Sequence, residues 1–367
     1  MDIVKLENNS CMVQLPAILT DADEGAIFAA CAPESSEKGG YIVLDFTSLE
    51  KMNGLGASML VKLHARSRAR GQKLLAFNVS DHYRQVLRVA DLDSAITVYD
   101  SPERALGEVG APVGSPGAGD VVLAEPKDTN SWANPVSRLQ VPPMPPEAIN
   151  LNVKNRRVVG PVDGFGQLWQ KTYQLRLEKP GTSPEDVISA LKQNFPSFQP
   201  DFNSFYPGPS GIQPGEIVAI DSSTPGGPLS TGVMVLYADE QSFTFITPQG
   251  HPESGWVTFS AFENQGVITA QILGLARAND PIYEAGFRAA GSKVQVKIWS
   301  HVLTSLAGYL GVPANISVEQ LLVDPRMQWS QSGNIWHNAQ IRTLLYMPVR
   351  LAGKPMRDRR RKKAYAG

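Results

Sequence analysis

Few residues in this chain combine the types and spacing that acid–base or metal chemistry needs. His251 and Glu253 flank Pro252 within Gly250-His-Pro-Glu-Ser-Gly255, near enough to act as an acid and a base, and they are the candidate catalytic pair. They fall in a turn between two strand-like segments, and the sequence offers no third group to orient them. A rim hydrogen bonder is the simpler reading of His251. The other histidines, His64, His82, His301 and His337, stand apart, with no HExxH spacing and no cysteine neighbours, so no metal site is expected. Gly226-Gly227 lacks the Lys and helix of a phosphate loop, and Gly54-Leu-Gly56 lacks the third glycine and acidic partner of a dinucleotide fingerprint. No cofactor is expected.

A different chemistry, the handling of an anion, would suit the stretch from Tyr41 to Gln72. Tyr41-Ile-Val-Leu-Asp-Phe46 is a short apolar run that suits a strand covered on both faces. A turn over Thr47 to Asn53 follows. Leu55, Met59 and Leu63 then recur every four positions, with Arg66, Arg68 and Arg70 near the end, which predicts a helix. Asn53 is its N-cap and Gly71 its left-handed stop. The free amides of such a helix start could bind an anion, although a simple cap is the favoured reading.

At 367 residues the chain is too long for one ordinary core, and two domains are expected. The formal net charge of -1 predicts no polyanion partner for the whole molecule. Cys11 and Cys31 alone supply neither a disulfide framework nor a zinc site, and a reducing compartment fits them. The opening residues lack the basic and apolar regions of a signal peptide, and no run approaches the roughly 18 apolar residues of a membrane span. A soluble cytoplasmic protein is expected.

Residues 1–110 read as two strands, then helix, strand, helix, strand, helix, strand, helix: a small mixed sheet with helices packed on it. Ile42-Val-Leu-Asp-Phe46, Gly54-Leu-Gly56, Arg70-Gly71, Ser80-Asp-His-Tyr-Arg-Gln-Val-Leu87 and Asp100-Ser-Pro-Glu-Arg-Ala105 carry a resemblance to the STAS domain of bacterial anti-sigma factor antagonists and stress-signalling scaffolds. The resemblance implies a protein partner, an anti-sigma factor or a STAS-type scaffold protein. It would dock on Lys51, Met52, Asn53, Gly54, Leu55, Gly56 and Ser58. In phosphorylatable members the turn reads Asp-Ser-Ser-Gly; here it is Lys51-Met52-Asn53-Gly54, with no hydroxyl at either serine position. Phosphate is therefore not expected to be the switch.

Residues 111–150 are rich in proline and glycine, notably Ala111 to Gly119 and Val141 to Pro146, and read as a flexible, then semi-rigid, linker. Residues 151–312 read as a strand from Leu168 to Leu177, a helix starting at Thr182-Ser-Pro-Glu-Asp186, a Phe- and Pro-rich loop or short helix from Phe195 to Tyr206, and an antiparallel meander. One long helix from Asp280 to Leu310 closes the unit, with Val294, Ile298, Val302, Leu306 and Leu310 as its apolar stripe. That order resembles the START-like, or SRPBCC, helix-grip domain, and Gly250-His-Pro-Glu-Ser-Gly255 resembles a motif of an uncharacterised branch. The fold class expected is thus a two-domain α+β and α/β chain, a STAS-like mixed sheet followed by a helix-grip antiparallel sheet.

The helix-grip resemblance implies an apolar cavity for a hydrophobic small molecule or lipid. Trp169, Tyr173, Phe243, Phe245, Phe259 and Phe287 are the candidate lining. In residues 313–367, Ser317-Val-Glu-Gln320 before Leu321-Leu322 predicts a further short helix. The basic run Arg357 to Lys363 is read as a solvated terminus rather than a contact for nucleic acid or membrane. The function expected is a regulatory signalling protein, not an enzyme, whose STAS-like surface answers to a hydrophobic ligand. The alternatives are a cyclase- or hydrolase-type enzyme using His251 and Glu253, and a lipid carrier.

Overall fold

The computed structural model describes residues 2–7, 9–32, 39–110, 122–179 and 181–348, with the side chains of 290–292 excepted. The linker segment Ala111 to Gly119 and the basic run Arg357 to Lys363 lie outside the described residues.

The first domain comprises β1 (Ile3–Leu6), β2 (Ser10–Gln14), β3 (Ile18–Leu19), α1 (Glu24–Ala30), β4 (Tyr41–Asp45), β5 (Lys51–Met52), α2 (Gly54–Ala69), β6 (Lys73–Phe77), α3 (Asp81–Val89), β7 (Thr97–Val98) and α4 (Pro102–Val109). Its sheet runs β1-β2-β4-β6-β7, an antiparallel hairpin continued by parallel strands. β4 is central, as its continuous apolar run requires. Asn53 caps α2, accepting from the amides of Leu55 at 3.0 Å and Gly56 at 3.2 Å, and Gly71 takes the left-handed φ of 74° beyond its end. The predicted stripe Leu55, Met59 and Leu63 is buried, but so are Gly54, Ser58, Val61 and Ala65. A helix covered on this many sides must lie between two layers, and the second layer comes from the other domain.

The second domain comprises β8 (Val158–Val159), β9 (Leu168–Leu177), α5 (Pro184–Asn194), β10 (Asn203–Pro207), β11 (Ile217–Thr224), β12 (Gly227–Ala238), β13 (Ser242–Pro248), β14 (Glu253–Asn264) and β15 (Val267–Ala278). It continues through α6 (Pro281–Gly286), a π-helical turn (Phe287–Gly291), α7 (Ser292–Leu310), β16 (Ile316–Asp324) and a 3-10 segment (Trp329–His337). Residues 339–348 form a last helix. Among the described residues its main sheet runs β10-β11-β12-β13-β14-β15-β9-β16, with β8 attached to β13, all antiparallel. Gln265 and Gly266, both at positive φ, turn β14 into β15 as a two-residue hairpin.

Four expectations are corrected. The capping-box segment Ser317 to Leu322 is not a helix but part of β16, which pairs along β9 with Val318 opposite Tyr173 and Leu321 opposite Gln170. The second domain therefore does not end at residue 312: β16 and the segments to residue 348 complete it. The long helix is interrupted by the π-helical turn at Phe287–Gly291. Residues 122–150 are not a free spacer, because Trp132, Ala133 and Leu139 are buried and the backbone bonds to both domains. Ala124 N–H donates to Thr47 O at 2.8 Å, and Ala133 N–H donates to Leu236 O at 2.9 Å.

The sheet separates two apolar cores. On the concave side α5 and α7 cover Val233, Val235, Phe243, Phe245, Phe259 and Ile272. On the other side Met234, Leu236, Ile246, Trp256, Leu273 and Leu275 join one continuous core with Leu55, Leu60 and Val61 of α2. Strand parity assigns the faces, and an irregularity between Val235 and Tyr237 lets Leu236 and Tyr237 share the outer one.

Candidate functional site

A cavity of about 510 Å³ lies between the concave face of the sheet and the helices. Phe205, Phe245, Val257 and Trp299 give it apolar walls, while the β11–β12 hairpin at Pro225-Gly226, Ile282 of α6 and Ile341 of the last helix also line it. The volume and apolar lining suit a drug-sized hydrophobic molecule. One wall is polar. Lys171 Nζ donates to Gln295 Oε1 at 2.6 Å, and Gln295 Nε2 donates to both Glu253 oxygens at 2.9 and 3.1 Å. Burial pushes the Glu253 carboxyl up, opposed by Lys171 and the Gln295 amide; burial pushes Lys171 down, opposed by Glu253. The amide thus bridges a half-buried amine and a half-buried carboxyl group and fixes the carboxyl against an apolar space, an arrangement able to orient the polar end of a ligand.

His251 also lines the cavity, and its Nδ1 contacts the backbone of Glu253 rather than the carboxyl group. That nitrogen lies 3.0 Å from the Glu253 backbone N and 3.1 Å from the Glu253 backbone O, so the ring is held by the main chain of Glu253. Burial lowers its pKa to about 4, so it is neutral near pH 7. The candidate pair lies in the right place without the orienting bond that acid–base catalysis would use. Among the described residues no cluster of His, Cys, Asp and Glu could hold a metal ion.

Of the aromatic candidates, Phe245 and Phe287 line the cavity. Trp169, Tyr173, Phe243 and Phe259 do not, and that expectation is corrected. Phe243 and Phe259 stack at 4.6 Å and close with Phe195 into a solid aromatic cluster beside it. Tyr173 is fully buried in the concave-side core, and its hydroxyl has no partner among the described residues. Gln295 and Lys171 were missed because polar residues between apolar positions on a helix or strand read as solvent-facing. The one clue to Gln295 is its position four residues before Trp299.

Most of the expected docking surface is covered by the chain itself: of its seven residues Lys51 and Asn53 are half-buried and the other five are buried. Ser58 is fully buried: its Oγ accepts from Trp256 Nε1 at 2.7 Å and donates to Gly54 O at 2.8 Å. A Cβ on Gly54 would fall on Thr244 Oγ1 and within 2.6 Å of Thr258 Oγ1. Lys51 pairs with Asp239 at 2.9 Å, Met52 is buried, and Asn53, Leu55 and Gly56 belong to the capped start of α2. The linker closes the loop from above. Asp128 accepts from Met52 N–H at 2.9 Å and Trp132 Nε1 at 3.2 Å, and lies 2.9 Å from His82 Nε2 and 3.3 Å from Tyr83 Oη.

Residues 4–98 match the family model described as Mlab, STAS domain, and the first domain is a STAS domain. No curated protein matches the chain significantly. Among solved structures, the chain is similar to a putative anti-sigma factor antagonist from Thermotoga maritima, at 17% identity over 29% of this chain and 92% of that one, with a TM-score of 0.24. It is similar to the anti-sigma factor antagonist SpoIIAA in its unphosphorylated form, at 16% identity over 29% and 94%, with a TM-score of 0.23. It is also similar to the di-domain ARO/CYC StfQ from the steffimycin biosynthetic pathway, at 12% identity over 40% and 53%, with a TM-score of 0.31.

Proposed function

We propose that this protein is a cytoplasmic regulator whose STAS domain engages a protein partner, of the anti-sigma factor or STAS-scaffold kind. A START-like domain that binds a hydrophobic small molecule would control that engagement. The observation that carries the reading is β14. One face of this strand presents Glu253 and Val257 to the cavity, and the other presents Trp256 and Thr258 to Ser58 and Gly54 of α2. A ligand that shifts β14 by a few tenths of an ångström acts on both sides of one wall. In a close-packed interior such a shift is transmitted rather than absorbed. A coupling of about 1–3 kcal/mol would change partner affinity by roughly 5–150-fold. The two buried cysteines, not joined in a disulfide, fit a reducing compartment.

Native mass spectrometry of the purified chain gives the mass of any retained ligand. Amide exchange over residues 51–60 is then compared before and after organic-solvent extraction and refolding. Exchange is expected to change at least severalfold; identical exchange in the two states, with loss of the ligand verified by mass, would sink the reading.

A second reading, an enzyme of cyclase or hydrolase type, is favoured by one observation, that His251 and Glu253 both line the cavity. It expects turnover of the retained molecule to fall by about 10²-fold or more in Glu253→Gln. Unchanged turnover in that variant and in His251→Ala removes it.

A further inference from the structure

The helix over residues 339–348 has its faces reversed. It buries Ala339 and Thr343, the latter bonded to Ser230 and Asn152, and turns Ile341, Leu344 and Leu345 outward. Leu345 is 73% exposed, and Trp336, five residues before Ile341, is 82% exposed. Ile341 at i, Leu344 at i+3 and Leu345 at i+4 form one stripe. This stripe borders the cavity: Ile341 and the exposed Ile282 line it, and Leu344 lies against Gly227 at the β11–β12 hairpin. An apolar stripe facing solvent, with an exposed tryptophan five residues before it in the chain, marks a surface that something covers. Charge says what. Residues 350–363, directly after the helix, hold eight Lys or Arg and one Asp, and Arg342 is exposed on the helix itself.

We propose that this face docks on an anionic lipid bilayer, with Trp336, Ile341, Leu344 and Leu345 entering the interface and the basic segment attracted to the headgroups. An apolar stripe flanked by dense positive charge is the combination that peripheral membrane binding uses, since neither alone holds a protein at a bilayer. Among the described residues no helix is long and apolar enough to cross a membrane, so the contact is peripheral for this face. Docking would bring the cavity rim to the lipid surface. The inference goes beyond the regulatory reading and does not depend on it, because it concerns the outer face whether or not the cavity is filled.

The test is co-sedimentation of the full chain with phosphatidylcholine vesicles, with and without phosphatidylglycerol. Binding is expected to the anionic vesicles, to weaken at high salt, and to fall by about tenfold or more in Ile341→Ser/Leu345→Ser, which leaves the buried Ala339 and Thr343 in place. Replacing Arg359, Arg360, Arg361, Lys362 and Lys363 by serine should abolish the salt-sensitive part. A vesicle-induced blue shift of tryptophan emission should diminish in Trp336→Phe. An unchanged melting temperature of each variant shows that folding is intact. No sedimentation with anionic vesicles, equal binding to neutral ones, or equal binding by wild type and the apolar double variant overturns the proposal. So does a dimer broken by that variant, or retention on single-stranded RNA, in a protein that ignores vesicles.

Discussion

Gly54 and Ser58 show how closely single atoms decide the contact between the two domains. At an exposed helix position Gly→Ala would stabilise by about 1 kcal/mol. Here Gly54→Ala puts a methyl onto Thr244 and Thr258, whose hydroxyls bond each other at 3.0 Å, and a loss of about 1–3 kcal/mol is expected in denaturant unfolding. The sign alone tests the close approach. Ser58→Ala strands the buried Trp256 N–H and should cost about 1–3 kcal/mol. A double-mutant cycle with Trp256→Phe should recover about 0.5–3 kcal/mol of coupling between the pair, and zero coupling would mean that the bond is not formed. The sequence announces Gly54 and Ser58 only as parts of a familiar turn. Their partners lie about 200 residues away, and no local pattern encodes them. The cavity's Glu253 and His251 were legible as polar residues in a turn, whereas the Gln295 bridge depends on a helix and a strand meeting.

Among the elements, those with strong periodicity were legible and those defined by their neighbours were not. The meander strands, α2 with its cap and α7 with its stripe follow from residue spacing. β16 does not: Ser317-Val-Glu-Gln-Leu-Leu satisfies a helix start as well as a strand, and pairing with β9 decides it. The linker was misread because proline-rich chain without periodicity can still pack when a Trp and a Leu are buried from it. The junction between the end of α3 and the Gly160–Asp163 turn carries a pH dependence. Asp91 accepts from Gly160 N–H at 2.8 Å, and burial, then the nearby Asp163, raise its pKa from 3.8 to about 7. The native state holds this proton more tightly than the unfolded chain does. The contribution is therefore fully present below about pH 4 and is lost as pH rises through about 7. Unfolding midpoints across that window should decline in the wild type and flatten in Asp91→Asn. An equal slope in both would assign the dependence elsewhere.

At the scale of the whole molecule the continuous core across the outer sheet face makes two domains one cooperative unit. Calorimetry of the intact chain is expected to show a single transition, because separating the domains would expose Met234, Leu236, Ile246, Trp256, Leu273 and Leu275 together. Two resolved transitions would show that the contact is weaker than its burial implies. The placement of β9 also bears on how the protein is made. β9 sits inside the sheet between β15 and β16, and β16 begins at Ile316, well over a hundred residues after β9 ends at Leu177. A ribosome adding about 5–20 residues per second delivers that last strand on the order of ten seconds after β9. Throughout that interval one edge of β9 is bare, and the nascent chain carries an open strand that any passing extended peptide could pair with.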